Sequence, residues 1–170
     1  MRTVISTLLC AMALLAAEPP RRSPGFSLPD LKAEQHDLAD YRGKVVILEF
    51  MQTTCPHCAA FADVLDKVQQ KFGGKVGILA VVNPPDNQQT VAAYILGHKI
   101  AYPILFDCGQ VAYSYVRAVQ FDLPQVYVID AGGTIQRHYE YSALTRDIFE
   151  GGGLIPELDR VLGGAVPPKK

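Results

Sequence analysis

The feature that most constrains the fold is a pair of cysteines set between an apolar strand and an amphipathic helix. Residues 44–51 (KVVILEFM) are almost all apolar, which predicts a strand buried on both faces of a sheet. Cys55 and Cys58 follow, and apolar residues then recur at helical spacing over residues 59–72. A second apolar run over residues 76–82 predicts another buried strand. Strand, helix and strand in this order predict a βαβ unit with parallel strands.

The rest of the chain continues the alternation of strands and helices. Two short strands are predicted within residues 26–40, ahead of the βαβ unit. Downstream, periodicity and turn residues predict helices over 88–98, 109–120 and 154–162, a short strand over 102–106, and a hairpin of strands 124–130 and 134–141 around Ala131-Gly132-Gly133. The sequence therefore predicts an α/β domain with a central mixed β-sheet flanked by helices and with an N-terminal strand extension.

Composition places this domain among ordinary globular proteins. The chain has 170 residues, of which 49% are hydrophobic and 19% charged, so one domain with a real core is expected. Sixteen Lys and Arg oppose seventeen Asp and Glu, for a net charge of −1, which argues against a nucleic-acid-binding protein. Four cysteines are too few for a small disulfide-stapled scaffold.

The N-terminus has the pattern of a secretory signal. Arg2 precedes an apolar stretch over residues 4–17, which is short for a membrane span. A buried N-terminal helix is the alternative. We therefore expect a signal peptide at 1–17, a linker at 18–24, the domain at 25–163 and a tail at 164–170, with the mature protein periplasmic or otherwise extracytoplasmic and without a stable membrane span. Cleavage leaves three cysteines, so we expect Cys108 to be an unpaired, partly buried thiol, with a resolving role as the alternative.

The two clustered cysteines have a chemistry that follows from their position. Cys55 falls at the start of the predicted helix, where unpaired N–H groups and the helix dipole favour a thiolate, which is the form that attacks disulfides. Pro56 suits the first helical turn, and His57 can favour the thiolate when it is protonated or donates a hydrogen bond. Cys58 lies one turn further in. We expect Cys55 to be the nucleophile and Cys58 the resolving cysteine of a Cys55–Cys58 disulfide.

Two stretches of the sequence resemble a known family. GFSLPDLKAEQHDLADYRGKVVILEFMQTTCPHC and FDLPQVYVIDAGGTI look like the thioredoxin fold, and the longer pattern resembles the extracytoplasmic TlpA-like branch of the redoxin superfamily (alkyl hydroperoxide reductase and thiol-specific antioxidant). The resemblance covers about residues 24–162. It implies a thiol–disulfide oxidoreductase without cofactor or metal. Its partners would be substrate protein thiols or disulfides and a membrane or periplasmic electron donor or acceptor.

The resemblance also assigns residues outside the cysteine pair. Glu49 lies where thioredoxin has a buried acidic residue, which implies a proton relay to Cys58, and desolvation would raise its pKa. A solvent-facing carboxylate on an edge strand is the alternative. Leu123-Pro124 resembles the family's cis-proline element, which exposes backbone for an extended substrate. An ordinary trans proline at a strand start is the alternative there. We expect Leu123, Pro124 and Thr54 to contact substrate.

Direction of electron flow and two other functions stay open on the sequence. The CPHC dipeptide resembles that of the periplasmic thiol oxidant, which implies a couple more oxidising than thioredoxin. A peroxiredoxin-type peroxidase is one alternative. A site resembling that type would have a Thr three residues before the nucleophilic cysteine, and Gln52 occupies that position here. A zinc-binding or other non-catalytic binding module is less favoured, because a structural zinc wants four ligands and the chain has a single CxxC pair.

Overall fold

The computed structural model describes residues 20–164. The expected signal peptide and most of the expected tail therefore lie outside the described residues. Within the described range, no helix combines the length and the apolar character that crossing a membrane requires.

A six-stranded mixed sheet forms the centre of the domain. β4, β5 and β6 run parallel to one another, whereas β7 is antiparallel to β4, β8 to β7 and β1 to β8. A separate antiparallel pair, β2 and β3, precedes this sheet. The strands, in chain order, are β1 Arg21–Arg22, β2 Ser27–Pro29, β3 Gln35–Asp37, β4 Val45–Met51, β5 Val76–Val82, β6 Ile104–Phe106, β7 Gln125–Ile129 and β8 Thr134–Glu140, and the order in the sheet is β1-β8-β7-β4-β5-β6.

Helices cover both faces of this sheet. They are α1 Pro56–Phe72, α2 Gln88–His98, α3 Gln110–Val116, α4 Arg146–Glu150 and α5 Leu154–Gly164. Buried side chains of α1, α2, α4 and α5 share one apolar cluster, to which Phe61 and Phe149 belong. Ala112 and Tyr115 of α3 belong to the cluster on the opposite face. This is the predicted α/β architecture, with every residue of β4 and β5 buried as the two apolar runs require.

The structure differs from the prediction in three short segments. α3 ends at Val116, four residues earlier than predicted, because Arg117 adopts a left-handed conformation with φ of 59° that ends the helix. α4 was not predicted, since five residues are too few to show helical periodicity. Arg21–Arg22, inside the segment expected to be a linker, pairs with Ile135 and Thr134 of β8.

Strand direction brings four loops to one edge of the sheet. β4 and β5 end there, β7 begins opposite the end of β4, and β8 ends opposite the start of β7. The segments 52–55, 83–87, 117–124 and 141–145 therefore surround one region, at the carboxyl ends of the parallel strands. Open α/β sheets place their functional groups at this edge.

Short strands form the two outer margins of the sheet. β1 has two residues and β6 has three. Outside the named strands, Asp30 forms an isolated antiparallel bridge with Leu105, which joins the end of the β2–β3 pair to β6. The predicted N-terminal strand extension thus packs beside the parallel half of the sheet.

Candidate active site

Cys55 and Cys58 form a disulfide at the junction between β4 and α1. Their Cα atoms lie 5.3 Å apart. Cys55 is the N-cap of α1, with extended backbone, and its Sγ accepts a hydrogen bond from the N–H of Cys58 at 3.2 Å. Cys55 is half-buried, whereas Cys58 is fully buried. The exposed sulfur is therefore the one that the helix N-terminus faces.

Local sequence explains why the helix begins at this point. Pro56 occupies the first helical position, where its lack of an N–H costs nothing and its fixed φ suits the helix. The first turn of α1 carries no acidic side chain that would repel a thiolate. A sulfur anion at Cys55 would thus meet the positive end of a 17-residue helix, which stabilises it.

The His57 imidazole is held on the protein surface by residues from the far end of the chain. Its ring stacks on Tyr141 with centroids 3.6 Å apart and planes 18° from parallel. Its Nδ1 lies 3.4 Å from Oε1 of Glu150. The same Oε1 accepts a hydrogen bond from the hydroxyl of Tyr141 at 2.7 Å, and Oε2 accepts one from Nε of Arg146 at 2.6 Å. These donors lower the pKa of Glu150, Tyr141 being the largest cause, so this carboxylate is anionic at neutral pH.

Glu49 is buried in the middle of β4, with 1% of its surface exposed. It stands opposite Ala80 of β5 and Val126 of β7, which belong to the same apolar cluster as Cys58. Desolvation raises the pKa of Glu49 to about 8, and neither carboxylate oxygen has a hydrogen-bond partner within residues 20–164. The alternative of a solvent-facing edge carboxylate is therefore wrong, because β4 is a central strand.

Tyr94 adds a buried contact on the same side. Its hydroxyl donates a hydrogen bond to the carbonyl oxygen of Cys58 at 3.2 Å. Desolvation raises the pKa of Tyr94, and the nearby Glu49 charge raises it further. Tyr94 of α2 therefore contacts the turn that contains Cys58 and lies close enough to Glu49 for that carboxylate to affect its pKa.

The Leu123–Pro124 peptide bond is cis, and it lies beside the exposed sulfur. The Sγ of Cys55 is 3.8 Å from the carbonyl oxygen of Leu123. Leu123 also lines a cavity of about 270 Å³ together with Gln52, Pro84, Val119 and Phe121. The segment that resembles the family's cis-proline element thus adjoins the disulfide, with a depression of mixed polar and apolar lining next to it.

The loop ahead of Cys55 is fixed by a residue that sequence analysis missed. The N–H of Thr53 donates to Oδ2 of Asp86 at 3.0 Å, and the Thr53 hydroxyl donates to Oδ1 of the same carboxylate. Thr54 is exposed at the tip of this turn. The side chains that support the site but were not predicted are Asp86, Tyr94, Tyr141 and Glu150. They are remote in sequence from the cysteines, and the turn around Asp86 at the same sheet edge is the signal that could have indicated that residue.

Cys108 lies outside the disulfide. It is an exposed free thiol between β6 and α3, so the expectation that it is partly buried is wrong. It lines a broad cavity of about 770 Å³ with Pro84, Tyr113 and Val119.

Potential metal ligands cluster elsewhere in the described residues. Asp30, Glu34 and His36 bring their ligand atoms within 4.8 Å of one another, and this is the one such group of three within residues 20–164. Oδ1 of Asp30 already accepts from the N–H groups of Lys32 and Glu34. The cysteine pair has no third ligand beside it in that range, so its geometry favours redox chemistry over zinc binding.

Comparison with known proteins agrees with this geometry. The model of the AhpC/TSA family matches residues 20–138. The chain is 29% identical to the thioredoxin-like protein YneN of Bacillus subtilis over 68% of each chain. It is 34% identical to the thiol-disulfide oxidoreductase ResA of Geobacillus kaustophilus over 68% of this chain and 65% of that protein.

Solved structures show the same fold. A thiol:disulfide interchange protein of the thioredoxin family from Chlorobium tepidum superposes with a TM-score of 0.71 at 20% identity, covering 87% of this chain and all of that one. A secreted disulfide oxidoreductase from Mycobacterium tuberculosis gives a TM-score of 0.62 at 20% identity, over 76% and 95% of the two chains. The predicted thioredoxin-like α/β fold is confirmed, as is the predicted class of enzyme, a thiol–disulfide oxidoreductase. The chain belongs to the AhpC/TSA family.

Proposed function

We propose that the protein exchanges electrons with thiols or disulfides of polypeptide substrates through Cys55 and Cys58, in an extracytoplasmic compartment. The observation that carries the proposal is the unequal pair at the start of α1: a half-exposed sulfur on the helix N-terminus bonded to a fully buried one. This asymmetry suits a two-step exchange in which one sulfur meets the substrate and the other closes the cycle.

The steps follow from the positions of the two sulfurs. In the reducing direction, the Cys55 thiolate attacks a substrate disulfide, an S–S bond forms to Cys55, and one substrate sulfur leaves as a thiolate. The Cys58 sulfur then attacks Cys55, which releases the second substrate sulfur and restores the Cys55–Cys58 disulfide. The substrate gains two electrons and the protein loses two. The same steps in reverse oxidise a substrate dithiol.

The buried carboxylate supports the second step. Cys58 must lose a proton before it can attack, and it lies in an apolar cluster with none of its surface exposed to solvent. Glu49 faces the same cluster, and its raised pKa makes its anion a stronger base than an exposed carboxylate. We assign Glu49 the role of taking the proton from Cys58 and returning it in the reverse direction.

Substrate contacts are assigned to the segment beside Cys55. Leu123 and Pro124 present backbone next to the sulfur, and the adjoining depression offers both apolar contacts, from Val119 and Phe121, and polar ones, from Gln52. Thr54 directly precedes Cys55 in the sequence and is exposed, and it would contact the same substrate chain. An extended polypeptide whose backbone lies along Leu123 and Pro124 is the substrate that this surface favours.

Insulin reduction with dithiothreitol tests the assignment. We expect Cys55→Ser to abolish the activity, because no thiolate remains at the helix start, and Cys108→Ser to retain it. Cys108 is the matched control, since it is the cysteine outside the disulfide within residues 20–164 and is exposed. Full activity of Cys55→Ser would overturn the proposal.

A peroxidase of the peroxiredoxin type is the second candidate, because the AhpC/TSA family model matches the chain. Hydrogen peroxide consumption separates the two functions. A peroxidase would consume peroxide at micromolar concentrations faster than it reduces insulin, whereas the proposed oxidoreductase would show the opposite preference.

The compartment is tested by a separate experiment. The apolar stretch over residues 4–17 after Arg2 is the support for export. A fusion of residues 1–24 to a reporter that is active only in the periplasm should give signal. An inactive fusion that stays uncleaved in the cytosol would contradict export.

A further inference from the structure

The surroundings of His57 are more elaborate than a surface imidazole requires. Tyr141 covers one face of the ring, and the Glu150 carboxylate lies 3.4 Å from Nδ1. The other ring nitrogen, Nε2, has no hydrogen-bond partner in the described part of the chain, and 42% of the side chain is exposed. The ring is thus fixed on one side and open on the other.

The two residues that fix the ring are themselves fixed. Glu150 accepts hydrogen bonds from Tyr141 and from Arg146, so its carboxylate has little freedom to rotate. Phe149, next to it, is fully buried and packs on Phe61 of α1 with ring centroids 5.2 Å apart. The short helix α4 is therefore anchored to the same helix that begins at the cysteine pair.

We infer that Glu150 and Tyr141 are positioning residues for His57, which hold its ring with a proton on Nδ1 and leave Nε2 to exchange protons at the disulfide. A carboxylate beside Nδ1 selects the tautomer that donates to it, as the partner of one imidazole nitrogen commonly does. The inference rests on the proposed function, and it adds the atom of His57 that acts and the groups that orient it.

The chemical step is protonation of the leaving sulfur. When the Cys55 thiolate cleaves a substrate disulfide, the departing sulfur carries the negative charge. Protonated His57 can donate the proton on Nε2 to that sulfur, so that an N–H bond breaks and an S–H bond forms. In the reverse direction, neutral His57 accepts the proton of a substrate thiol on Nε2. The proton on Nδ1 stays on the imidazole ring, facing the Glu150 carboxylate, in both directions.

Nitrogen-15 spectra of the imidazole test the tautomer directly. In the full-length oxidised protein we expect neutral His57 to carry its proton on Nδ1. Glu150→Gln should reduce that population, and Glu157→Gln should leave it unchanged. Glu157 is the matched control, because its carboxylate also forms ion pairs with arginines, Arg137 and Arg160, but does not contact His57. A wild-type ring protonated on Nε2, or an unchanged tautomer in Glu150→Gln, would overturn the inference.

Two small disulfides test the chemical role. Bis(2-hydroxyethyl) disulfide releases a basic thiolate that needs a proton, whereas 5,5′-dithiobis(2-nitrobenzoate) releases a thiolate that is stable without one. We expect Glu150→Gln to slow cleavage of the first by about threefold to tenfold, a part of what a positioned proton donor contributes, and to leave the second unchanged. Equal slowing of both disulfides would indicate a merely structural role and overturn the inference.

A double-mutant cycle completes the test. If Glu150 acts through His57, Glu150→Gln should have no further effect on the alkyl disulfide in a His57→Ala background. An undiminished effect there would overturn the inference. The failure of the proposed function is distinguishable, because it would appear as a wild-type protein that cleaves neither disulfide, whereas the tautomer spectra need no activity.

Discussion

The two sulfurs of one disulfide lie in opposite surroundings. Cys55 is only partly buried, and its sulfur meets the N-terminus of α1 and the carbonyl of Leu123; two residues on, the partly exposed His57 imidazole is held by Tyr141 and Glu150. Around Cys58 are apolar side chains, and the ionisable group on that side is the Glu49 carboxyl, whose pKa burial raises to about 8. Two residues of sequence, Pro56 and His57, separate a polar, partly exposed side from a buried, apolar side, which we call the dry side.

This contrast indicates that the two cysteines of one short motif have different tasks. At the helix start, hydrogen-bond donors stabilise a thiolate and exposure to solvent makes the sulfur accessible. Both favour the encounter with substrate. In the proposed mechanism the second sulfur stays shielded from solvent, since Cys58 is fully buried, until the mixed disulfide forms beside it. The position of the two residues on α1 creates the contrast, since one is the cap and the other faces the sheet.

The largest effect is expected from removing the buried sulfur. In Cys58→Ser, attack by Cys55 should still occur, but the cycle should stop at a mixed disulfide because the resolving thiol is gone. The measurement is the covalent adduct on non-reducing gels, with mass spectrometry to locate it. This division of roles would be contradicted if Cys58→Ser formed no adduct or if Cys55→Ser formed one through Cys58.

The next largest effect concerns stability against pH. The folded-state pKa of Glu49 is raised to about 8, above its usual 4.5, so between these values the folded chain holds a proton that the unfolded chain has released. The wild type should therefore lose stability, relative to Glu49→Gln, by roughly 1 kcal/mol for each pH unit from about pH 5 to 8. Urea unfolding at several pH values measures the difference, and parallel curves for the two proteins would contradict it.

A smaller effect is expected on turnover. Glu49→Gln keeps the shape of the side chain and removes its ability to accept a proton, so resolution of the mixed disulfide should slow by about tenfold or more. Attack by Cys55 on the substrate should be unaffected, because it occurs on the other side of the pair. Stopped-flow measurement of the two steps separates them. Slowing of attack alone would show that the two sides are not independent.

The smallest effect is expected from the hydroxyl of Tyr94. Tyr94→Phe removes the hydrogen bond to the carbonyl of Cys58 and should cost about 1 kcal/mol of unfolding free energy. Tyr113→Phe is the control, because that ring is 56% exposed. Thermal unfolding of both variants is the measurement, and equal changes would show that the buried hydroxyl contributes nothing specific.

Sequence reasoning predicted the dry side better than the polar side. The burial of Glu49 follows from an unbroken apolar run, and the start of α1 follows from a proline and a capping sulfur, all of which are local patterns. The groups that hold His57 are different, because they meet it only when β8 ends at the same sheet edge and α4 packs on α1. No local pattern at Tyr141 or Glu150 indicates that contact.

The same limit explains the errors in α3 and at Cys108. Apolar residues continue at helical spacing beyond Val116, yet Arg117 takes a left-handed conformation that the spacing cannot reveal. Cys108 precedes a tight turn at Gly109, whose φ of 102° turns the chain before the helix and leaves the thiol exposed. Both outcomes depend on the backbone conformation of one residue, Arg117 or Gly109. Many different sequences can adopt such a conformation, so the sequence does not reveal it.

The short outer strands have a consequence for self-association. A sheet whose margins are long and unpaired recruits other extended chains by hydrogen bonding. Here one margin is the two-residue strand Arg21–Arg22, whose charges oppose stacking of copies, and the other is three residues long and bridged by Asp30. Each short strand covers only part of its neighbour, since β1 pairs with Thr134 and Ile135 of β8 and β6 pairs with Ala80, Val81 and Val82 of β5. The two margins therefore limit, without removing, the edge along which a second extended chain could add.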